Sequence, residues 1–239
     1  MLAKGERPEV SIIIPAYNEE ENVDDVLSRA CKAAESSSLS YEVIFVDDGS
    51  TDRTKHLALG HNVIILHHEK NMGKGVALKE GFAKARGDII VTMDADGSHD
   101  PKDIPKLILP VLNGSSVALG TRFSSREGRE STTKMNLFGN TLINLSIRLM
   151  TGRRVTDSQS GFRAMKRSVV DQIKITTAGF QMETEFLIKA LRNGCVMTEV
   201  PLDVRKRLNG RTHLKPFRDG IRILGELLRA SFCQVTRNA

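Results

Sequence analysis

Short apolar runs broken by polar and glycine-containing stretches set the rhythm of the first 120 residues. Val10-Ser11-Ile12-Ile13-Ile14, stopped by Pro15, predicts a first strand. Tyr41 to Val46, Asn62 to Leu66, Asp88 to Met93 and Val117 to Leu119 predict four more. Between the first two runs, Val23, Val26, Leu27 and Ala30 recur at helical spacing. Asn18 is the candidate cap of that helix, and Glu19, Glu20 and Glu21 would fill its first turn. Asn71-Met72-Gly73-Lys74-Gly75 predicts a glycine-rich turn opening a helix through Arg86. Alternating strand and helix predict an α/β fold, a mostly parallel sheet with helices on both faces.

The second half has another texture. Thr121 to Thr133 is polar and aperiodic, a predicted loop carrying Arg122, Arg126 and Arg129. Leu137, Leu142, Leu145 and Leu149 fall at helical spacing. Asp157-Ser158-Gln159-Ser160-Gly161-Phe162-Arg163 is a second polar, glycine-containing stretch. Phe180-Gln181-Met182-Glu183-Thr184-Glu185 opens a helix ending near Asn193-Gly194. Val196 to Val204 reads as a strand, placed at a sheet edge by Pro201. Phe217, Ile221, Leu224, Leu228 and Phe232 form an apolar helical stripe. With no repeat or linker in sight, the chain reads as a single domain. About residues 10–120 form one half, and 121–239 an elaboration with amphipathic helices.

Candidate chemistry gathers at the predicted strand ends, where open α/β sheets bind ligands. Asp94-Ala95-Asp96 ends the fourth strand, and its two carboxylates could share one divalent cation. Hard oxygen donors favour Mg²⁺ or Mn²⁺, ions that also hold substrate phosphates. Pro15-Ala16-Tyr17-Asn18-Glu19 follows the first strand, and Asp47-Asp48-Gly49-Ser50 the second. Lys74 lies between two glycines whose backbone N–H groups suit a diphosphate. Neither a Walker pattern nor G-x-G-x-x-G is present, which disfavours P-loop and dinucleotide sites.

Composition narrows the partners. The net charge of +6 and isoelectric point near 9.3 suit an anionic partner such as a nucleotide or a phospholipid surface. Aromatics are only 5% and Trp is absent, which argues against a base-stacking nucleic-acid surface. Cys31, Cys195 and Cys233 are odd in number and widely spaced, so no disulfide framework is expected. No signal peptide or membrane-spanning run is apparent, and a cytoplasmic protein, peripheral at the cytoplasmic face of a membrane, is expected.

The motifs S-I-I-I-P-A-Y-N-E-E, V-D-D-G-S-T-D, N-M-G-K-G, D-A-D and S-G-F-R occur in this order. In them the chain resembles the family 2 glycosyltransferases, whose GT-A fold is Rossmann-like and binds nucleotide sugars. Phe180-Gln181-Met182-Glu183, Glu199-Val200-Pro201 and Arg207-Leu208-Asn209-Gly210-Arg211-Thr212-His213-Leu214 resemble the dolichyl-phosphate mannose synthases and related polyprenyl-phosphate glycosyltransferases. The resemblance implies that Pro15, Tyr17 and Glu19 face the nucleoside, Val46 and Asp48 hold base or ribose, and Lys74 lies near this pocket. It implies Asp94, Ala95 and Asp96 at the diphosphate, with Asp94 and Asp96 as metal ligands. Ser98 stands where the family has a Gln ligand and, being shorter, would reach the ion through water. Arg122 and Arg207 would approach the phosphates or the acceptor as candidate catalytic residues. His213 replaces the family's Lys and would have to act as a cation or hydrogen-bond donor.

The implied reaction is inverting transfer of mannose or glucose from GDP-mannose or UDP-glucose to a polyprenyl or dolichyl phosphate. The apolar segments at 137–149 and 217–232 would reach the lipid, alone or beside a membrane-anchoring subunit. One rival is transfer to a sugar hydroxyl, which needs a base such as Asp157 or Glu183. The other is a nucleotide-sugar-binding subunit without catalysis.

Overall fold

The computed structural model describes residues 7–36, 38–122, 134–177, 179 and 181–202. Seven strands are described: β1 (Val10–Ala16), β2 (Tyr41–Asp47), β3 (Ile64–His67), β4 (Ile89–Thr92), β5 (Val117–Thr121), β6 (Arg163–Lys166) and β7 (Met197–Pro201). They form one sheet in the order β3-β2-β1-β4-β6-β5-β7. β1 pairs in parallel with β2 and β4, β2 with β3, and β5 with β7. Only β6 runs against its neighbours. The mixed α/β, mostly parallel architecture is the expected one, and β7 lies at the expected edge.

Helices cover both faces. They are α1 (Val23–Glu35), α2 (Thr54–Ala58), α3 (Lys74–Lys84), α4 (Ile104–Leu112), α5 (Lys134–Thr151), α6 (Arg167–Gln172) and α7 (Gln181–Arg192). Alternation along β1 divides the core: Ile12 and Ile14 pack with Val23, Leu27 and Leu107, while Ile13 packs on the other face with Ile44, Leu78 and Phe186. A fully buried aliphatic side chain of this size contributes about 1.5–3 kcal/mol relative to an exposed one. A third cluster joins Ile143 and Ile147 of α5 to Leu187 and Ile188 of α7.

Three expectations need correction. Pro15 does not end the first strand; β1 continues to Ala16, with Pro15 opposite Val46. Successive backbone groups alternate in direction along a strand. Ile13 turns its carbonyl toward Met93, so the donor that Pro15 lacks falls on that side, beyond the end of β4. Asn18 is not a helix cap. It adopts φ 54°, and its side-chain oxygen accepts from the Thr51 amide at 2.8 Å, while Asn22 occupies the N-cap of α1. The sequence pattern predicts no strand at 163–166, but β6 begins at Arg163, the last residue of the polar stretch 157–163, and is too short and too polar to show a strand period. The candidate helix at 217–232 and the loop residues Arg126 and Arg129 lie outside the described residues.

Candidate active site

The loops after β1 and β2 are sewn together by backbone amides and side-chain oxygens. Glu19 N–H donates to Thr54 Oγ1 at 2.7 Å, and Arg53 N–H to Glu20 at 3.1 Å. Gly49, at φ 74°, lets this turn meet the next loop, because a Cβ there would lie 2.3 Å from the Lys70 carbonyl carbon. Asp47 accepts from Ser50 N–H and faces His67 Nδ1 at 2.7 Å. Asp48 is buried and accepts the amides of Met72 and Gly73, each at 2.8 Å, and it faces His68 Nδ1 at 2.6 Å. Its carboxylate thus shapes the loop that delivers Lys74.

Lys74 opens α3 and lies 2.5 Å from both Asp94 Oδ1 and Glu183 Oε1. Three sequence-distant elements meet here: the start of α3, the end of β4 and the first turn of α7. Burial alone would push the Lys74 ammonium down, but Asp94 and Glu183 outweigh it and hold it above the ordinary lysine range. Burial likewise opposes ionisation of Asp94, and Lys74, followed by His99, overcomes it and brings the carboxyl to about 2. Both groups are charged at neutral pH. Gly161 closes this corner, since a Cβ on it would lie 2.6 Å from each Asp94 oxygen.

Arg122, directly after β5, binds Asp157 in a fork: Nε donates at 2.8 Å and Nη2 at 2.9 Å, and its backbone N–H adds a third bond at 3.0 Å. Burial disfavours the guanidinium charge, but the Asp157 carboxylate more than offsets this. Beneath lies Arg163, fully enclosed and donating to the carbonyls of Ser160, Glu183 and Ser158. His99 is buried against Phe162, ring centroids 5.2 Å apart.

Asp94, Asp96 and Ser98 are each half-buried, while Met93, Ala95, Gly97 and His99 between and beside them are buried. Three oxygen donors on alternate residues therefore reach the accessible side of one loop. Ser98 N–H also donates to Asp96 Oδ1 at 3.0 Å, which fixes that carboxylate. Among the described residues, no three His, Cys, Asp or Glu side chains converge as a metal cluster. Two carboxylates and a hydroxyl still fit Mg²⁺ or Mn²⁺, which take one or two protein carboxylates and complete their shell with water and substrate phosphate.

The expected residues do not all converge as side chains. Lys74, Asp94 and Glu183 touch, and Arg122 is among the charges acting on Asp94. Tyr17 and Glu19 lie half-buried on the loop after β1. Val46 and Ala95 are buried in the core, and Pro15 is buried within β1. Arg207 and His213 lie outside the described residues. Three participants, His68, Gly161 and Arg163, were given no role from the sequence, although Gly161 and Arg163 lie in the S-G-F-R motif. For His68 the structure supplies the reason: the pair His67-His68 follows the strand next to the one ending in Asp47-Asp48, with Asp47 and His67 as register partners.

Comparison with known proteins bears on this geometry. Residues 11–174 match the sequence model of Glycosyl transferase family 2. The dolichol-phosphate mannosyltransferase of Pyrococcus furiosus is 37% identical over 213 residues, covering 86% of this chain and 59% of that protein. The undecaprenyl-phosphate 4-deoxy-4-formamido-L-arabinose transferase of Pseudomonas fluorescens is 34% identical, covering 68% and 48%. The chain thus spans only about half of these two relatives. Among solved structures, glucosyl-3-phosphoglycerate synthase from Mycobacterium tuberculosis, in complex with Mn²⁺, UDP and phosphoglyceric acid, superposes with a TM-score of 0.76 at 25% identity, covering 95% of this chain and 79% of that one.

Proposed function

Since this chain belongs to glycosyl transferase family 2, we propose that it transfers a hexose, mannose or glucose, from a nucleoside diphosphate sugar to a polyprenyl phosphate with inversion at the anomeric carbon. One observation carries the choice of an anionic acceptor. Both carboxylates that would serve as a base toward a hydroxyl are committed to cations, Asp157 in the Arg122 fork and Glu183 at Lys74. An acceptor phosphate is already anionic and needs no base, so the protein's task is positioning and charge stabilisation.

In this reading an acceptor phosphate oxygen attacks the anomeric carbon as the bond to the nucleoside diphosphate breaks, and the electron pair leaves with the diphosphate. A bound Mg²⁺ or Mn²⁺ supplies Lewis-acid neutralisation of that leaving group. Asp94, Asp96 and Ser98 would hold the ion. The Lys74 ammonium and Arg122 guanidinium are fixed cations beside the same loop. Asp48 keeps the Gly73 and Met72 amides in place, and the first-strand loop with Tyr17 and Glu19 would close over the nucleoside. Arg207 and His213 would bring further donors to the phosphates.

The lipid side draws support from α5. Ile143 and Ile147 pack inward, while Leu142, Leu145 and Leu149 are 44%, 49% and 80% exposed. No Asp or Glu occurs from Lys134 to Thr156, and Arg148, Arg153 and Arg154 are exposed beside the stripe. An apolar stripe flanked by arginines suits an anionic membrane surface such as a cytoplasmic leaflet. No helix among the described residues is long and apolar enough to cross a membrane.

The test incubates the protein with radiolabelled GDP-mannose or UDP-glucose, Mn²⁺, and either a polyprenyl phosphate or 3-phosphoglycerate. Label in the lipid extract supports the proposal. Label only in phosphoglycerate would keep the anionic acceptor but replace the lipid, and no transfer to either with both donors would refute the reading.

A further inference from the structure

His68 follows β3 and is buried between two carboxylates from different elements. Its Nδ1 lies 2.6 Å from Asp48 Oδ1 at the end of β2, and its Nε2 bonds Glu80 of α3. A ring nitrogen facing a carboxylate must carry hydrogen, so two such nitrogens require the imidazolium. Burial pulls its pKa down, and the hydrogen bonds to Asp48 and Glu80 more than reverse this, so it is raised. The same Asp48 carboxylate holds the Met72 and Gly73 amides, with Oδ1 shared between His68 and Met72. Gly73 has φ 97° and is the N-cap of α3, whose first residue is Lys74.

We propose that His68 is a positioning residue, which by bridging Asp48 and Glu80 holds Asp48 on the Met72 and Gly73 amides and so presents Lys74 to Asp94 and Glu183. The chain of contacts is continuous: His68 to Asp48, Asp48 to the two amides, Gly73 to Lys74, and Lys74 to both site carboxylates. Without the imidazolium, Asp48 keeps its amide partners but loses the donor fixing its rotamer. His67 does not substitute, because its ring is turned to Asp47.

The consequence for nucleotide binding rests on the function proposed above; the loop geometry does not. Three substitutions separate the two bonds of His68. In His68→Asn the amide nitrogen takes the place of Nδ1 and can serve Asp48 but not Glu80. In His68→Gln it takes the place of Nε2 and can serve Glu80 but not Asp48. His68→Leu serves neither. Amide hydrogen exchange of Met72 and Gly73, read by NMR at one pH, should rise about tenfold in His68→Gln and His68→Leu, the scale of one hydrogen bond, and clearly less in His68→Asn. Calorimetric Kd values for UDP or GDP should rise in the same order. A merely structural histidine would lower Tm in all three variants without distinguishing Asn from Gln at these amides, and that result would overturn the proposal. If the wild-type protein binds neither nucleotide, the functional reading fails, while the exchange order still decides the role of His68.

Discussion

Replacing Gly161 by alanine tests the tightest approach in the site. The added Cβ would lie 2.6 Å from both Asp94 oxygens and 2.8 Å from the carboxyl carbon. Ordinary contact begins near 3.4 Å, so the carboxylate or the loop must withdraw by about 0.8 Å. The loop has little room to do so. The Gly161 carbonyl accepts from Thr92 Oγ1 at 2.9 Å, the neighbouring Phe162 is fully buried, and the Phe162 carbonyl accepts from Gly120 N–H at 2.9 Å. Asp94 is half-buried and gives way instead.

Its ion pair with Lys74 would then stretch from 2.5 Å to as much as about 3.3 Å, past the roughly 2.7–2.9 Å of a charge-assisted hydrogen bond. A lost hydrogen bond to a charged group costs about 1.5–3 kcal/mol, or roughly 10- to 150-fold in an equilibrium constant. Calorimetric titration of Gly161→Ala with Mn²⁺ and with UDP or GDP should show at least one affinity weakened on that scale, with the circular dichroism spectrum unchanged. Were the carboxylate able to swing aside freely, the substitution would act only on the unfolded chain. It would then stabilise by about 0.4–1 kcal/mol. Wild-type affinities together with an unchanged or raised Tm would refute the packing described here.

Asp157→Asn should keep one hydrogen bond to Arg122 but lose the charged fork. KM for the acceptor should rise while Tm falls modestly, and unchanged kinetics would leave Arg122 without a role at the acceptor. Glu185 accepts from the amides and hydroxyls of Thr176 and Thr177 and from Lys189; burial would raise it, but Lys189 and these donors bring it to about 2. A depressed carboxyl contributes stability that is present above its ordinary value of 4.5 and is lost as pH falls toward about 2. The Tm gap between wild type and Glu185→Gln should therefore narrow over that window, and a constant gap would exclude Glu185 as the cause. Replacing both Leu145 and Leu149 by serine should reduce flotation with anionic liposomes several-fold, by loss of apolar area, without lowering Tm; equal flotation would remove α5 from the lipid surface.

The central parallel strands were legible because they are buried on both faces and read as unbroken apolar runs. β1 shows this most plainly, with all seven residues buried. β6 was not legible. It spans four residues, includes Arg163 and Lys166, and owes its place to pairing with β4 and β5 rather than to its own pattern. The carboxylates of the site were visible because D-A-D and V-D-D-G-S sit at predicted strand ends. What they do was not. Asp48 reads as a ligand for base or ribose, yet its oxygens are bound to His68 and two amides. Glu183 and Asp157 read as candidate bases, yet each holds a cation that comes from more than 30 residues away. Pairings across such separations depend on how helices and strands pack, and a single sequence carries no local signal for them.

Charge balance ties these pairings to the proposed chemistry. Among the described residues of the cleft, Asp94, Asp157 and Glu183 act on Lys74, Arg122 and Arg163, and Asp96 adds a fourth carboxylate on the loop after β4. Asp48 belongs to a separate group, set against the His68 imidazolium. Four carboxylates against three cations, one of them the fully buried Arg163, leave an excess of negative charge where a diphosphate is proposed to bind. Like charges a few ångströms apart in a partly desolvated cleft cost several kcal/mol, so the diphosphate would be repelled from this arrangement by itself. Moving Lys74 or Arg122 to the ligand would not help, since each already neutralises a buried carboxylate that would then stand unpaired. The proposed Mg²⁺ or Mn²⁺ would add two positive charges beside Asp94 and Asp96. Donor and metal would therefore bind as a unit, the structural cations serving to hold the carboxylates in place rather than to bind the nucleotide alone.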